Sequence, residues 1–78
     1  MGKKAVHPLV GKEVTVYWKD PKAEWQNYQV GFVSNPLIQL IGLEQDGKKF
    51  TGGPIWVHLE DIEMIEEGLE NVSKGFSV

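Results

Sequence analysis

The sequence predicts a small all-β domain, and three observations predict it. Apolar and polar residues alternate with a period of two where β-branched and aromatic side chains dominate, as in Val14 to Lys19 and Tyr28 to Val33. Turn-forming pairs separate the apolar runs, at about the 8–12-residue spacing common in barrels and sandwiches. No stretch carries a long helical repeat.

From Gly11 the run Lys-Glu-Val-Thr-Val-Tyr-Trp-Lys sets Val14, Val16 and Trp18 on one face and Thr15, Tyr17 and Lys19 on the other, a half-buried first strand. Asp20-Pro21 ends it, and the loop from Asp20 to Gln26 carries Trp25 in polar company. The second strand, about Tyr28 to Ser34, sets Tyr28, Val30 and Phe32 on one side; Gly31 inside it marks a bulge or sharp bend. After the Asn35-Pro36 turn a third strand is expected from Leu37 to Gln45. Asp46-Gly47 then predicts a type I′ hairpin turn, because both central positions need positive φ. That turn fixes a register: Gln45 opposite Lys48, Glu44 opposite Lys49, and Leu43 opposite Phe50. Gly52-Gly53-Pro54 interrupts the return arm. Ile55 to Leu59 resumes it, Glu60-Asp61 supplies one 3₁₀ turn, and Ile62 to Ile65 is the last short strand. The expected organisation is a loose leader over residues 1–10, one domain over 11–67 and a frayed tail over 68–78.

A 78-residue chain without cysteine has no disulfide or thiolate metal site to support its core. A domain near this size buries only about 60% of its unfolded surface, so aromatic packing or self-association must contribute. Three tryptophans and 41% hydrophobic residues fit both routes. All eight cations are lysines, and the net charge is −3. Lacking the planar fork of arginine, the chain is a poor candidate for sequence-specific nucleic-acid recognition. Acidic residues crowd the C-terminal part, from Glu60 to Glu70, a solvated face or a surface that steers a basic partner. No apolar run approaches the roughly 18 residues of a membrane span, and no secretory h-region follows Lys3-Lys4, which makes the expected setting cytoplasmic.

The strand, long loop, paired hairpins, 3₁₀ turn and terminal strand together resemble the SH3-like small-barrel class, which includes Tudor-like and Sm-like modules. Gly11–Trp18, Gly31, Asp46-Gly47 and Trp56–Ile65 carry the resemblance, which extends over about 55 residues. It implies a single SH3-like five-stranded barrel with a 3₁₀ turn before the last strand.

No motif for catalysis is present. Ser34, Ser73 and Ser77 lack a nucleophile elbow, Gly52-Gly53 is followed by proline instead of a phosphate-binding helix, and His7 and His58 are isolated. No catalytic residue, metal ligand or cofactor is expected. Plasmid-borne, trimethoprim-insensitive dihydrofolate reductases are similar in length and barrel type, but their pore strand reads Val-Gln-Ile-Tyr. Here the equivalent is Ile55-Trp56-Val57-His58, without the glutamine or the tyrosine.

The aromatic residues are the stronger lead. By resemblance to Tudor-like and SH3-like barrels, Tyr17, Trp25, Tyr28 and Trp56 are candidates for a ligand-binding patch, with Glu24 as a nearby anion. Two other readings stay open. Trp18 and Trp56 are core with Trp25 a lid, or the exposed aromatics form a homo-oligomer seam, since residues 28–33 and 37–43 are apolar on both faces. The expected function is a non-enzymatic, self-associating protein-interaction module with an acidic rim and a protein or basic peptide partner. The alternatives are a nucleic-acid-associated Sm-like barrel and a pore-type oligomeric reductase. A short accessory protein of a mobile element fits the same features.

Overall fold

The structure, a computed structural model, describes residues 8–69. Five strands run antiparallel in one sheet: β1 (Glu13–Trp18), β2 (Asn27–Ser34), β3 (Leu37–Gly42), β4 (Ile55–His58) and β5 (Ile62–Glu67). Their spatial order is β4-β3-β2-β1-β5, so the first strand lies between the second and the last. A single 3₁₀ turn, Leu59–Asp61, joins β4 to β5 as the sequence predicts. Among the described residues no helix is long and apolar enough to cross a membrane.

Alternation along each strand builds the core. Val14 and Val16 of β1, Tyr28 and Val30 of β2, Ile38 and Leu40 of β3, and Ile62 at the start of β5 are buried together. Ile55 and Val57 of β4 pack against them from the edge. Phe32 departs from the expected face: it is 54% exposed, because the register slips between Val30 and Phe32. The slip sits on Gly31, as expected of a strand glycine. A Cβ there would lie 2.5 Å from the Gln39 Oε1 and 3.3 Å from the Ile41 Cδ1. The bulge reverses side-chain parity and turns Phe32 outward.

Thr15, expected on the solvent face, is fully buried. The cause is distant in sequence: β5 pairs with β1, and beyond it the Gly68 N–H donates to the Glu13 carbonyl at 2.8 Å. The Thr15 hydroxyl donates to the Gly68 carbonyl at 2.8 Å.

The Asp46-Gly47 turn forms as predicted. Both residues have positive φ, 53° and 81°, and Gln45 and Lys48 exchange backbone hydrogen bonds of 2.9 and 3.0 Å. The hairpin ladder ends at that bridge. β3 stops at Gly42, not Gln45, and the expected Glu44–Lys49 and Leu43–Phe50 pairs are not part of any ladder. The Leu43 N–H is instead drawn to the Asn27 carbonyl at 2.9 Å. Phe50 folds over Gly42, which has no Cβ to exclude it, and meets Trp25 and Tyr28 at ring-centroid distances of 5.4 and 5.8 Å.

The expected leader is described only from Pro8. There Leu9 and Val10 pack against the core, and the Gly11 N–H donates to the Val30 carbonyl at 2.7 Å. Order therefore begins before Gly11. Most of the expected tail, like residues 1–7, lies outside the described residues.

Candidate functional site

A cleft of about 760 Å³ opens between the β1–β2 loop and the 3₁₀ turn. Its aromatic lining is Trp18, Trp25 and Tyr28, with Ile55 beside them. Lys19, Asp20, Glu24 and Asp61 supply its charges, three carboxylates against one ammonium.

Local chemistry shapes the loop wall. The Asp20 Oδ1 accepts the Lys22 N–H at 2.9 Å, and the Ala23 N–H donates to the Asp20 carbonyl at 3.1 Å. That is a β-turn with proline in its second position, where a fixed φ is favourable, and aspartate in its first. The opposite wall arrives through the sheet. Trp18 pairs with Ile62, and the Lys19 N–H donates to the Asp61 carbonyl at 3.1 Å, which holds the 3₁₀ turn against the end of β1.

Beyond the turn, side chains hold the backbone from Glu24 to Asn27. The Gln45 Oε1 accepts the N–H groups of Gln26 and Asn27 at 2.6 and 3.1 Å, and its Nε2 donates to the Glu24 carbonyl at 2.9 Å. The Trp18 indole N–H donates to the Trp25 carbonyl, and the Trp25 indole N–H to the Leu43 carbonyl, both at 2.8 Å. The Asn27 Nδ2 donates to the Glu44 carbonyl at 3.0 Å, whereas its buried Oδ1 has no hydrogen-bond partner.

Three of the five residues singled out by sequence, Glu24, Trp25 and Tyr28, therefore meet in the cleft. Tyr28 is nearly inaccessible, standing edge-on to Trp18 at 6.0 Å, and burial raises its phenol pKa above the ordinary 10.0. Tyr17 does not line the cleft; its hydroxyl donates to the Glu66 Oε1 at 3.0 Å, across to β5. Trp56 is elsewhere again, and the reading that makes it core is overturned. It is 49% exposed on the outer face, edge-on to Phe32 at 6.4 Å, because Ile55 and Val57 take the inward positions of β4. Trp25 combines two of the alternatives: it packs against Phe50 as a lid does, and it also lines the cleft.

Sequence reading missed Trp18, Lys19, Asp20, Ala23, Ile55 and Asp61 as cleft residues. An antiparallel pairing of β1 with β5 would bring Asp20 and Asp61 together, but no local signal announces that pairing. Among the described residues no three histidine or carboxylate side chains gather in a way that could hold a metal ion. No protein-family model, curated protein or solved structure matches the chain.

Proposed function

We propose that the chain is a small non-enzymatic protein-interaction module, built on an SH3-like barrel, whose cleft receives a basic segment of a partner. The strand order β4-β3-β2-β1-β5, the bend at Gly31 and the 3₁₀ turn between the last two strands support the barrel assignment. One observation carries the function: indole and phenol rings line a cleft whose charged groups are mostly carboxylates. A lysine or arginine side chain lying over Trp25 gains from the ring face and from Glu24, Asp20 and Asp61 together. Apolar stems of the same side chains cover Trp18 and Ile55.

The test is a titration of ¹⁵N-labelled protein with an acetylated oligolysine peptide, followed by NMR. The expected shifts fall on the indole N–H signals of Trp18 and Trp25, with Trp56 as an internal control. Glu24→Lys combined with Asp61→Lys abolishes them while the fold persists. Shifts confined to Glu63, Glu66 and Glu67 would instead mark diffuse attraction to acidic surface and reject the cleft. So would an absence of shifts at low salt.

A further inference from the structure

We propose that β4 is the seam of a symmetric dimer, pairing edge to edge with β4 of a second copy of this chain. β4 ends the sheet, with β3 as its only neighbour in the strand order. Its ladder runs through Leu37–His58, Ile38–Val57, Gln39–Trp56 and Leu40–Ile55, and the Leu59 N–H donates to the Pro36 carbonyl at 2.8 Å. In an antiparallel ladder, residues alternate between turning their backbone groups toward the partner strand and away from it. The Leu59 bond fixes that phase. Leu59, Val57 and Ile55 turn toward β3, so the N–H and C=O groups of Trp56 and His58 point out from the edge.

The two edges of the sheet differ chemically. β5 carries Glu63, Glu66 and Glu67, which keep other strands away from it. β4 reads Ile-Trp-Val-His, with neither a carboxylate nor a lysine. Its outer face continues the same character inward. Trp56 and Phe32, 49% and 54% exposed, flank Gln39 in one row across β4, β3 and β2. An uncharged aromatic band thus runs to an uncharged edge.

Charge identifies the occupant as a second copy. Each chain carries −3, so two copies repel unless the surfaces that meet exclude carboxylates. β4 meets that condition and β5 does not. A basic segment of another protein is drawn to the cleft carboxylates or to β5, leaving β4 to the seam. A two-fold axis through Val57 sets Trp56 opposite His58 of the partner subunit and matches each outward N–H with an outward carbonyl. The half-buried Ile55 and Val57 of both copies then adjoin, extending a core that is small in one copy. A four-residue seam covers less than the roughly 800 Å² per partner of a standard interface, so the dimer is weak, with Kd on the order of micromolar.

Sedimentation equilibrium of the full chain tests this. The mass should rise with concentration from 8.8 kDa toward twice that value and stop there. Trp56→Lys, at an outward position, should leave a folded monomer with unchanged circular dichroism. Met64→Lys, on the opposite edge, should leave the dimer intact. Val57→Cys, the sole thiol in a cysteine-free chain, should give a covalent dimer on oxidation, since facing residues of this type approach to about 4.5 Å between Cα atoms. A monomeric wild type overturns the proposal, as does growth beyond the dimer or dissociation by Met64→Lys alone. Failure of Val57→Cys to crosslink overturns the Val57-centred register.

Discussion

The Gln45 side-chain oxygen accepts the Gln26 N–H at 2.6 Å, joining the hairpin to the cleft loop across 19 residues of sequence. With its bonds to Asn27 and Glu24, this one amide does for the loop what a neighbouring strand would do. The Asp46-Gly47 turn, through the Gln45–Lys48 bridge, fixes the backbone from which that side chain projects. The wall of the cleft is thus mounted on a turn that does not itself line it.

Replacing Gln45 with alanine leaves two N–H groups and a carbonyl without protein partners in a partly buried setting. The expected loss is about 1–3 kcal/mol in urea unfolding, with faster amide exchange at Gln26 and Asn27. Gln45→Glu keeps the acceptor and loses the donor to Glu24, so it should fall between. An unchanged unfolding midpoint and unchanged exchange in the alanine variant would show that Gln45 does not hold the loop.

Trp25→Phe separates the two tasks of that residue. The ring contact with Phe50 is retained, while the Leu43 carbonyl loses its indole donor. We expect a loss of about 1–2 kcal/mol with the fold retained, measured by thermal unfolding. Trp25→Ala removes both packing and cleft lining, so a binding defect in that variant would not separate the two roles.

Gly42 and Gly53 make a matched pair. A Cβ at Gly42 collides with the Phe50 ring and its Cβ, whereas one at Gly53 meets nothing within 4 Å. Gly42→Ala should cost about 1–3 kcal/mol by overpacking, and Gly53→Ala should stay within about 0.5 kcal/mol. Phe50→Leu in the Gly42→Ala background should recover part of the loss. Equal effects at the two glycines would mean that Phe50 is free to swing aside.

Tyr28 gives the protein an alkaline sensitivity. Burial raises its phenol pKa above 10.0, so above pH 10 the unfolded chain releases this proton more readily than the folded one. The unfolded state then binds fewer protons, and stability falls as pH rises. The contribution is fully present below pH 10 and is lost on passing through the higher folded value. Urea midpoints of wild type and Tyr28→Phe, compared from pH 8 to 11, should diverge only above pH 10, with the wild type falling more steeply. Parallel curves would place the alkaline loss elsewhere.

Features set by neighbouring residues were legible in the sequence. Asp46-Gly47 needs positive φ whatever surrounds it, and Gly31 marks its bulge because no other residue permits that close approach to Gln39. Parity was harder. In β4 both faces are apolar, so alternation separates Trp56 from Ile55 and Val57 without saying which side meets the core. Thr15 looked solvent-facing because its burial depends on the chain returning after β5. The cleft was half legible for the same reason: Glu24, Trp25 and Tyr28 are close in sequence, while Asp61 joins them only through the Trp18–Ile62 pairing. Gln45 carried a register signal, but nothing near it in sequence reveals what its amide holds.

The central place of β1 has a consequence in time. β1 lies between β2 and β5, and the bond from Thr15 to Gly68 spans 53 residues. At a synthesis rate of about 5–20 residues per second, β1 is made roughly 3–10 s before the strand that completes its second edge. Closing so long a loop costs entropy before any contact rewards it, which slows folding relative to chains rich in local contacts. Until β5 emerges from the ribosome, Lys19 has no Asp61 to bond, so the cleft exists only once almost the whole chain has been made.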